Sequence, residues 1–207
     1  NDMTKLPLMP PPSENMMSPG VVVLGRFQPL HLGHTLLIKA AEEWRVENSP
    51  DSPLILCIGS SNRPESMENP WSYKEREAMM DVWLKSQEGF NNVKIVSIPD
   101  IQNPPKWVLH AENYHGKSGF FFTSDISSAD LYNDAGWSTI LHPLEQRNKF
   151  EGWRVRATAL MLSTINDDVA VRAVLSVSVP ESVINYLIEI DGLRRLAFLV
   201  EGGEPVG

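Results

Sequence analysis

Short runs of consecutive apolar residues alternate along this chain with longer stretches whose apolar positions recur every three or four residues. The runs are Val21 to Gly25, Leu54 to Gly59, Val93 to Ile98, Gly119 to Thr123 and Ser138 to Leu141. Most are apolar throughout rather than on alternate positions, which predicts strands covered on both faces, as in a parallel sheet. Thr35 to Arg45, Tyr73 to Ser86, Pro105 to His115 and Ser127 to Ala135 carry the helical spacing between them. Strands alternating with helices of this length predict an α/β doubly wound sheet, in which ligands sit at the carboxyl ends of the strands. Gly25-Arg26 and Gly59-Ser60-Ser61 fall at two such ends.

Toward the C-terminus the strand runs stop and only helical spacing remains, over Arg156 to Ser163, Val169 to Val177 and Pro180 to Ile190. Pro180 suits a first helical turn and Gly192 a stop signal. A helical tail packed on the sheet is the expectation, ending in a frayed segment from Glu201. At the other end, Pro7, Pro10, Pro11, Pro12 and Pro19 stand among Met, Ser and Asn. That composition predicts a flexible, linker-like arm over 1–19. The expected organisation is therefore an arm over 1–19, one domain over 20–200 with its helical tail from about residue 156, and a frayed end over 201–207.

Composition narrows the function classes. An apolar fraction of 42% in 207 residues is ample for a buried core. The net charge of −8 argues against a surface that coats nucleic acid, so any polyanion must be met locally by a few placed Arg and His side chains. Cys57 is the only cysteine, which excludes an internal disulfide, and its place in a strand run reads as a buried small hydrophobe. No apolar run approaches the roughly 18 residues of a membrane span. The first residues lack the basic region and apolar block of a signal peptide. A cytoplasmic protein with no membrane and no nucleic-acid partner is expected.

The chemistry concentrates in Arg26-Phe27-Gln28-Pro29-Leu30-His31-Leu32-Gly33-His34. A buried strand, a tight turn with an Arg and two His, and then a helix is the shape of an anion site, because a helix N-terminus offers free backbone N–H groups and a positive dipole end. Two imidazoles three residues apart add donors there. Gly33 suits a close approach of phosphate or adenine to bare backbone. No Cys or acidic residue completes a metal set around the two His, which argues against zinc. Gly116-Lys117-Ser118 looks like the end of a P-loop, but the Gly required five residues earlier is Ala111 and no strand precedes it. Asp125, Asp130 and Asp134 read as a solvated helix edge.

Gly25-Arg26-Phe27-Gln28-Pro29-x-His31-x-Gly33-His34 resembles the opening motif of the nucleotidylyltransferase superfamily, and within it most resembles the archaeal-type nicotinamide mononucleotide adenylyltransferases. A second block, Ile58-Gly59-Ser60-Ser61-Asn62, Glu68-Asn69-Pro70-Trp71-Ser72 and Glu75-Arg76, is similar to a block of the same family in the same register. Ile98-Pro99-Asp100-Ile101 followed by Trp107 resembles a third, in which a Trp lies against nicotinamide. An electron-poor pyridinium stacks well on an indole. The family's Asn three residues before that Trp is Pro104 here, with Asn103 one place off. In the second signature, Phe150-Glu151-Gly152-Trp153-Arg154-Val155-Arg156 keeps Gly152 and Arg156, and Arg147 matches an upstream Arg. Glu151 and Trp153 replace the family's hydroxyl pair. A carboxylate beside a triphosphate repels it unless a metal or Arg154 neutralises the charge. Placing Thr158 at the Thr position instead would put Met161 at the Arg.

The resemblance implies a Rossmann-like doubly wound parallel sheet of the nucleotidylyltransferase type with a C-terminal helical tail. It implies an adenylyltransferase that joins ATP and nicotinamide mononucleotide into NAD and pyrophosphate, by in-line attack on the α-phosphorus. His31, His34, Arg26 and Arg156 would act in catalysis. Gly25, Arg26, Phe27, Gln28, His31, Gly33, His34, Arg147 and Arg156 would bind ATP, and Ser60, Asn69 and Trp107 the nicotinamide nucleotide. Mg2+ would be held mainly through the ATP phosphates, and a homo-oligomer is implied. A sister transferase with another phosphorylated acceptor, or a nucleotide-binding protein impaired in catalysis by the altered second signature, remain as alternatives.

Overall fold

The computed structural model describes residues 6–145 and 150–201, the side chain of residue 201 aside. The chain forms two compact units.

The first unit takes in Asn1–Arg26, Leu36–Arg63 and Gly89–Glu145. It holds a sheet of β1 (Val21–Gly25), β2 (Leu54–Ile58), β3 (Val93–Ser97), β4 (Phe120–Thr123) and β5 (Ser138–Leu141). All neighbours pair in parallel, in the order β3-β2-β1-β4-β5. The predicted strands agree to within a residue at either end. Winding reverses between β1 and β4, which opens a crevice at the carboxyl ends of the strands. The β1–β2 pairing runs one step past the strands, where the Gly59 N–H donates to the Gly25 carbonyl at 2.8 Å.

Three helices serve this sheet. Most of α1 (Leu32–Asn48) belongs to the unit, as do α3 (Trp107–His115) and α4 (Ile126–Asp134). Buried Arg45 ends α1 by pairing with Glu42 at 2.7 Å and donating to the carbonyls of Pro50 and Ser52. A 3-10 turn over Pro104–Lys106 leads into α3, because prolines fit a first turn and cannot extend a helix backwards. Asp125 caps α4, accepting from the Ser128 N–H at 3.0 Å and its hydroxyl at 2.7 Å. That corrects the reading of Asp125 as part of a solvated edge; Asp130 and Asp134 are exposed.

The core of this unit gathers Val22, Ile55, Cys57, Ile98, Val108, Ala111, Phe121, Tyr132 and Trp137, with Trp107 and Met17 packed against it. Cys57 is buried, as expected, and burial pushes its thiol well above the ordinary range. His115 has no exposed surface. A carbonyl can only accept, so Nδ1 donates to the Gly116 carbonyl at 2.8 Å, and the Tyr132 hydroxyl donates to Nε2 at 2.8 Å. Burial lowers this imidazole to about 4.

The second unit takes in Phe27–Thr35, Pro64–Glu88 and Gln146–Gly207. It is helical: α2 (Tyr73–Lys85), α5 (Gly152–Leu162), α6 (Asp168–Leu175), α7 (Glu181–Glu189) and α8 (Arg194–Glu201). Ser72 and Glu75 form a reciprocal capping box that starts α2. The tail helices pack on α2 and on one another. Helix α5 starts four residues earlier than its apolar spacing predicts, at Gly152. The sequence reading missed α8 because Gly192 ends the periodic pattern, although Leu196 then anchors a further amphipathic turn.

His115→Ala should cost about 2–4 kcal/mol of unfolding free energy at neutral pH, since it opens a cavity and strands the Tyr132 hydroxyl and Gly116 carbonyl. An unfolded imidazole near its ordinary 6.5 binds protons that the folded ring, at about 4, refuses. Wild-type stability therefore falls as pH drops through that window, whereas the variant lacks this contribution. Denaturant titrations should show the gap narrowing toward pH 4, and a gap independent of pH would contradict the assignment.

Candidate functional site

In the second unit the His31-x-Gly33-His34 spacing is a solution to starting a helix. The first amides of a helix have no partners within it. Here the His31 backbone N–H donates to Nδ1 of His34 at 3.2 Å, and the Gly33 N–H donates to Nδ1 of His31 at 3.1 Å. The Leu32 N–H reaches the Ser178 carbonyl at 2.8 Å. His31 thus serves as cap and His34 reaches back from the third helical position, a capping box made of imidazoles. This is why α1 begins at Leu32 rather than at Thr35, where its apolar spacing starts.

The same bonds set the tautomers. Each Nδ1 accepts a hydrogen bond from a backbone N–H, so each neutral ring carries its own proton on Nε2, the opposite edge. The rings stack with centroids 3.6 Å apart and planes within 22°. Phe27, in the left-handed conformation at φ 53°, sets its edge against His34 at 4.7 Å. Burial, and then the Arg156 charge, lowers His31 to about 4. Burial, then His31 and Arg156, holds His34 well below its ordinary 6.5. Both rings are neutral donors at physiological pH. This corrects the picture of free backbone amides at the helix start: those of His31, Leu32 and Gly33 are consumed in capping, and the ring Nε2–H groups take over as donors.

Gly33 has no room for a side chain. A Cβ there would lie 2.7 Å from that of Phe150 and 2.9 Å from Cε1 of His31. Phe150 leads into α5, so the second signature meets the first. Arg156 Nη1 donates to the Gln28 carbonyl at 3.0 Å, and a Cβ on Gly152 would stand 3.0 Å from that nitrogen. Glu151 precedes α5 without capping it by its side chain. Its carboxylate instead accepts from the Trp153 indole N–H and lies 3.7 Å from Arg154, whose guanidinium sits 4.6 Å above the Trp153 ring. Glu151 therefore carries its own counter-charge. The alternative register has nothing to offer here, since Thr158 bonds back to the Arg154 carbonyl and Met161 is exposed. Arg147 lies outside the described residues.

Gln28 is buried, and its amide is spent on the backbone of Trp71, donating to the carbonyl at 2.9 Å and accepting from the N–H at 3.1 Å. Its side chain fastens the Asn69-Pro70-Trp71 turn. Arg195 donates to the Pro70 carbonyl and pairs with Glu75 at 2.9 Å, and the Trp71 indole donates to the Gly192 carbonyl. Asn69 is 8% exposed, and its Oδ1 has no hydrogen-bond partner among the described residues.

In the first unit an open cleft of about 300 Å³ lies at the carboxyl ends of the strands. Leu24, Gly25 and Arg26 after β1, Gly59 and Ser60 after β2, Asp100 after β3, Trp107 of α3 and Ser128 of α4 line it. The cleft lining thus brings together Gly25 and Arg26, expected to bind ATP, with Ser60 and Trp107, expected to bind the nicotinamide nucleotide; Gly59 and Asp100 come from the same motif blocks without an assigned role, and Ser128 was not named. Asn62 pairs with the Asp100 backbone in both directions, at 3.0 and 2.8 Å, and Arg63 meets its carboxylate at 2.6 Å. Burial raises the Asp100 carboxyl, but Arg63 and the amides of Gln102 and Ile101 outweigh it and hold the group below its ordinary value. No three His, Cys, Asp or Glu side chains among the described residues converge to hold a metal by themselves. No described helix is long and apolar enough to cross a membrane.

Comparison with known proteins matches residues 22–148 to the family described as Cytidylyltransferase-like. A nicotinamide-nucleotide adenylyltransferase of Saccharolobus solfataricus is 30% identical over 177 residues, covering 85% of this chain and 94% of its own. One from Archaeoglobus fulgidus is 31% identical over 177 residues, covering 84% and 92%. Among solved structures, a bifunctional NMN adenylyltransferase/ADP ribose pyrophosphatase of Francisella tularensis, complexed with AMP and a manganese ion, superposes with a TM-score of 0.61 at 19% identity. It aligns with 89% of this chain, which spans about half (52%) of that protein. That likeness shows the Rossmann-like fold. The chain belongs to the cytidylyltransferase-like family and, within it, to the archaeal-type nicotinamide-nucleotide adenylyltransferases.

Proposed function

We propose that this enzyme joins ATP and nicotinamide mononucleotide into NAD, and that the stacked neutral pair His31–His34 with Arg156 is its phosphate-handling centre. The observation that carries this reading is the tautomer: two buried rings, both Nδ1 atoms committed to the helix cap, both Nε2 protons left to donate. A phosphate oxygen of the mononucleotide attacks the α-phosphorus of ATP in line. The new P–O bond forms as the bond to the β-phosphate bridging oxygen breaks, and its electron pair leaves with pyrophosphate. The attacking oxygen is already ionised, so no protein base is needed, and the enzyme contributes positioning and stabilisation of the charge in transfer. Neutral N–H donors and one guanidinium suit that task.

The cleft of the first unit receives the nicotinamide end of the acceptor, with the Trp107 indole as its stacking surface and the Asp100 carboxylate suited to a cationic ring. Ser60 and Arg26 line the same cleft and supply polar contacts to ribose and phosphate. The orphaned Oδ1 of Asn69 is a ready acceptor for a nucleotide hydroxyl or amide. The described residues offer no carboxylate cluster of their own for a cation, so Mg2+ enters as the counter-ion of the ATP phosphates. Family membership and the acidic net charge support a cytoplasmic homo-oligomer that acts on free nucleotides rather than nucleic acid. Self-neutralisation of Glu151 by Arg154 favours an active enzyme over an impaired nucleotide binder.

His34→Ala should lower kcat about 10²–10³-fold, the loss expected for one preorganised donor. Its accompanying loss of a cap should cost about 1 kcal/mol of stability. Pyrophosphate release assayed with ATP and nicotinamide mononucleotide checks the first effect, and turnover within a few-fold of wild type would exclude the role. Trp107→Ala should raise the KM for nicotinamide mononucleotide about tenfold, equivalent to ~1.4 kcal/mol, and leave that for ATP in place. Equal changes in both constants would move Trp107 out of the acceptor site. In a proton NMR titration of the free enzyme, His31 should titrate near pH 4, with both rings neutral at ordinary pH. A midpoint near 6.5 for either ring would show that burial and Arg156 do not act as described.

A further inference from the structure

Through two adjacent carbonyls the N-terminal arm bonds to the two segments that carry the cleft walls at Ser60 and Trp107. The Ser61 hydroxyl donates to the Met9 carbonyl at 2.8 Å, and the Tyr114 hydroxyl donates to the Pro10 carbonyl at 2.9 Å. Ser61 directly follows Ser60, which lines the cleft in the left-handed conformation at φ 52°. The Ser61 N–H also donates to the Ile98 carbonyl at 3.1 Å, so this wall is tied from two directions. Tyr114 does not itself line the cleft; it stands on the face of α3 that carries His110 and, at the cleft, Trp107, one turn apart each. Ring centroids are 5.6 Å apart from Trp107 to His110 and 5.4 Å from His110 to Tyr114. The His110 Nε2 donates to the Pro99 carbonyl at 2.8 Å, next to Asp100 of the cleft.

We propose that the arm is a strap that fixes the separation of these two walls, with Ser61 and Tyr114 as positioning residues for the nicotinamide ring acting through Ser60 and Trp107. The inference rests on the cleft being the acceptor site. Its proline content suits the task. Pro10, Pro11 and Pro12 have no N–H, so this stretch presents carbonyl acceptors without donors that would need partners of their own. A proline-rich segment is also stiff and loses little conformational freedom when it docks. Further along, the Met17 carbonyl lies 2.5 Å from where a Cβ on Gly116 would stand, so the arm follows the surface closely before entering β1. The same proline composition that reads as a linker thus serves as a preorganised bracket.

The test compares the full chain with a truncation lacking residues 1–12 and with Ser61→Ala and Tyr114→Phe, singly and combined. Initial rates of NAD formation give KM for nicotinamide mononucleotide at saturating ATP, and KM for ATP at saturating acceptor. Truncation and the double variant should raise the first about five- to tenfold and leave the second within twofold. A role in folding alone would not separate the two constants. Tyr114→Phe removes one oxygen and keeps the ring, so it reports on the tie even where truncation lowers the yield of folded protein; it should raise the acceptor KM about threefold. Acceptor KM within twofold of wild type in all variants, or both constants rising together, overturns the strap. Trp107→Ala measured alongside separates the two levels: if it raises acceptor KM and the strap variants do not, the strap alone fails. If Trp107→Ala also leaves acceptor KM unmoved, the cleft reading fails and the strap falls with it.

Discussion

Helix α1 needs partners for its first amides, and the chain supplies them with two imidazoles three positions apart, with Gly33, which has no side chain, between them. Several features of the second unit depend on this. Because His31 and His34 both accept at Nδ1, both neutral rings carry their proton on Nε2, and the two rings stack. Because they stack over Gly33, the turn before α5 can close against the helix start, with Phe150 where any larger residue would collide. Because α5 arrives there, Arg156 reaches the Gln28 carbonyl, and its charge further disfavours protonation of both rings. A single capping solution therefore sets the tautomer and the approach of the second signature, while burial and Arg156 set the charge state.

The altered second signature is intelligible in the same electrostatic terms. The family's hydroxyls at these positions are neutral, and a carboxylate in their place next to phosphate would be costly if it stood alone. Glu151 does not stand alone: Trp153 gives it a donor and Arg154 a cation, and the guanidinium in turn rests on the indole face. Glu151, Trp153 and Arg154 together amount to a nearly neutral group at the start of α5. The ion pair is largely exposed, so its contribution to stability is small. In the proposed function, its value lies in cancelling charge beside a polyanion.

How much could be read in advance varies with the physics involved. The strands were legible to within a residue because continuous apolar runs bounded by Gly, Pro and Asn have few other solutions. Much of the cleft lining was legible: Gly25, Arg26, Gly59, Ser60, Asp100 and Trp107 all lie in motif blocks, while Leu24 and Ser128 joined them only through the winding of the sheet. Helix starts were the weakest point. Apolar spacing sees neither the imidazole cap that begins α1 at Leu32 nor the bare Gly152 that begins α5, because caps lie outside the periodic face. Gln28 shows what a motif does not reveal. It sits in the middle of a ligand motif, yet its amide pairs with the backbone of Trp71, forty-three positions on. A long-range partner of that kind leaves no local trace in sequence.

The balance of charge at the imidazole pair also bears on what such a centre must avoid. Two phosphate-bearing substrates have to approach each other, which favours positive charge, and pyrophosphate has to depart, which disfavours it. Fully protonated rings would bind the product's several negative charges as strongly as they bind the developing transition state, and uniform binding of that kind does not raise turnover. Neutral N–H donors hydrogen-bond to oxygens wherever charge builds and carry no net monopole to hold pyrophosphate afterwards. In the proposed function, Arg156, tethered to the Gln28 carbonyl, supplies the permanent charge from a fixed position. Burial and the Arg156 charge hold both imidazoles below their ordinary pKa, while the cap that begins the helix fixes which ring nitrogen is left to donate.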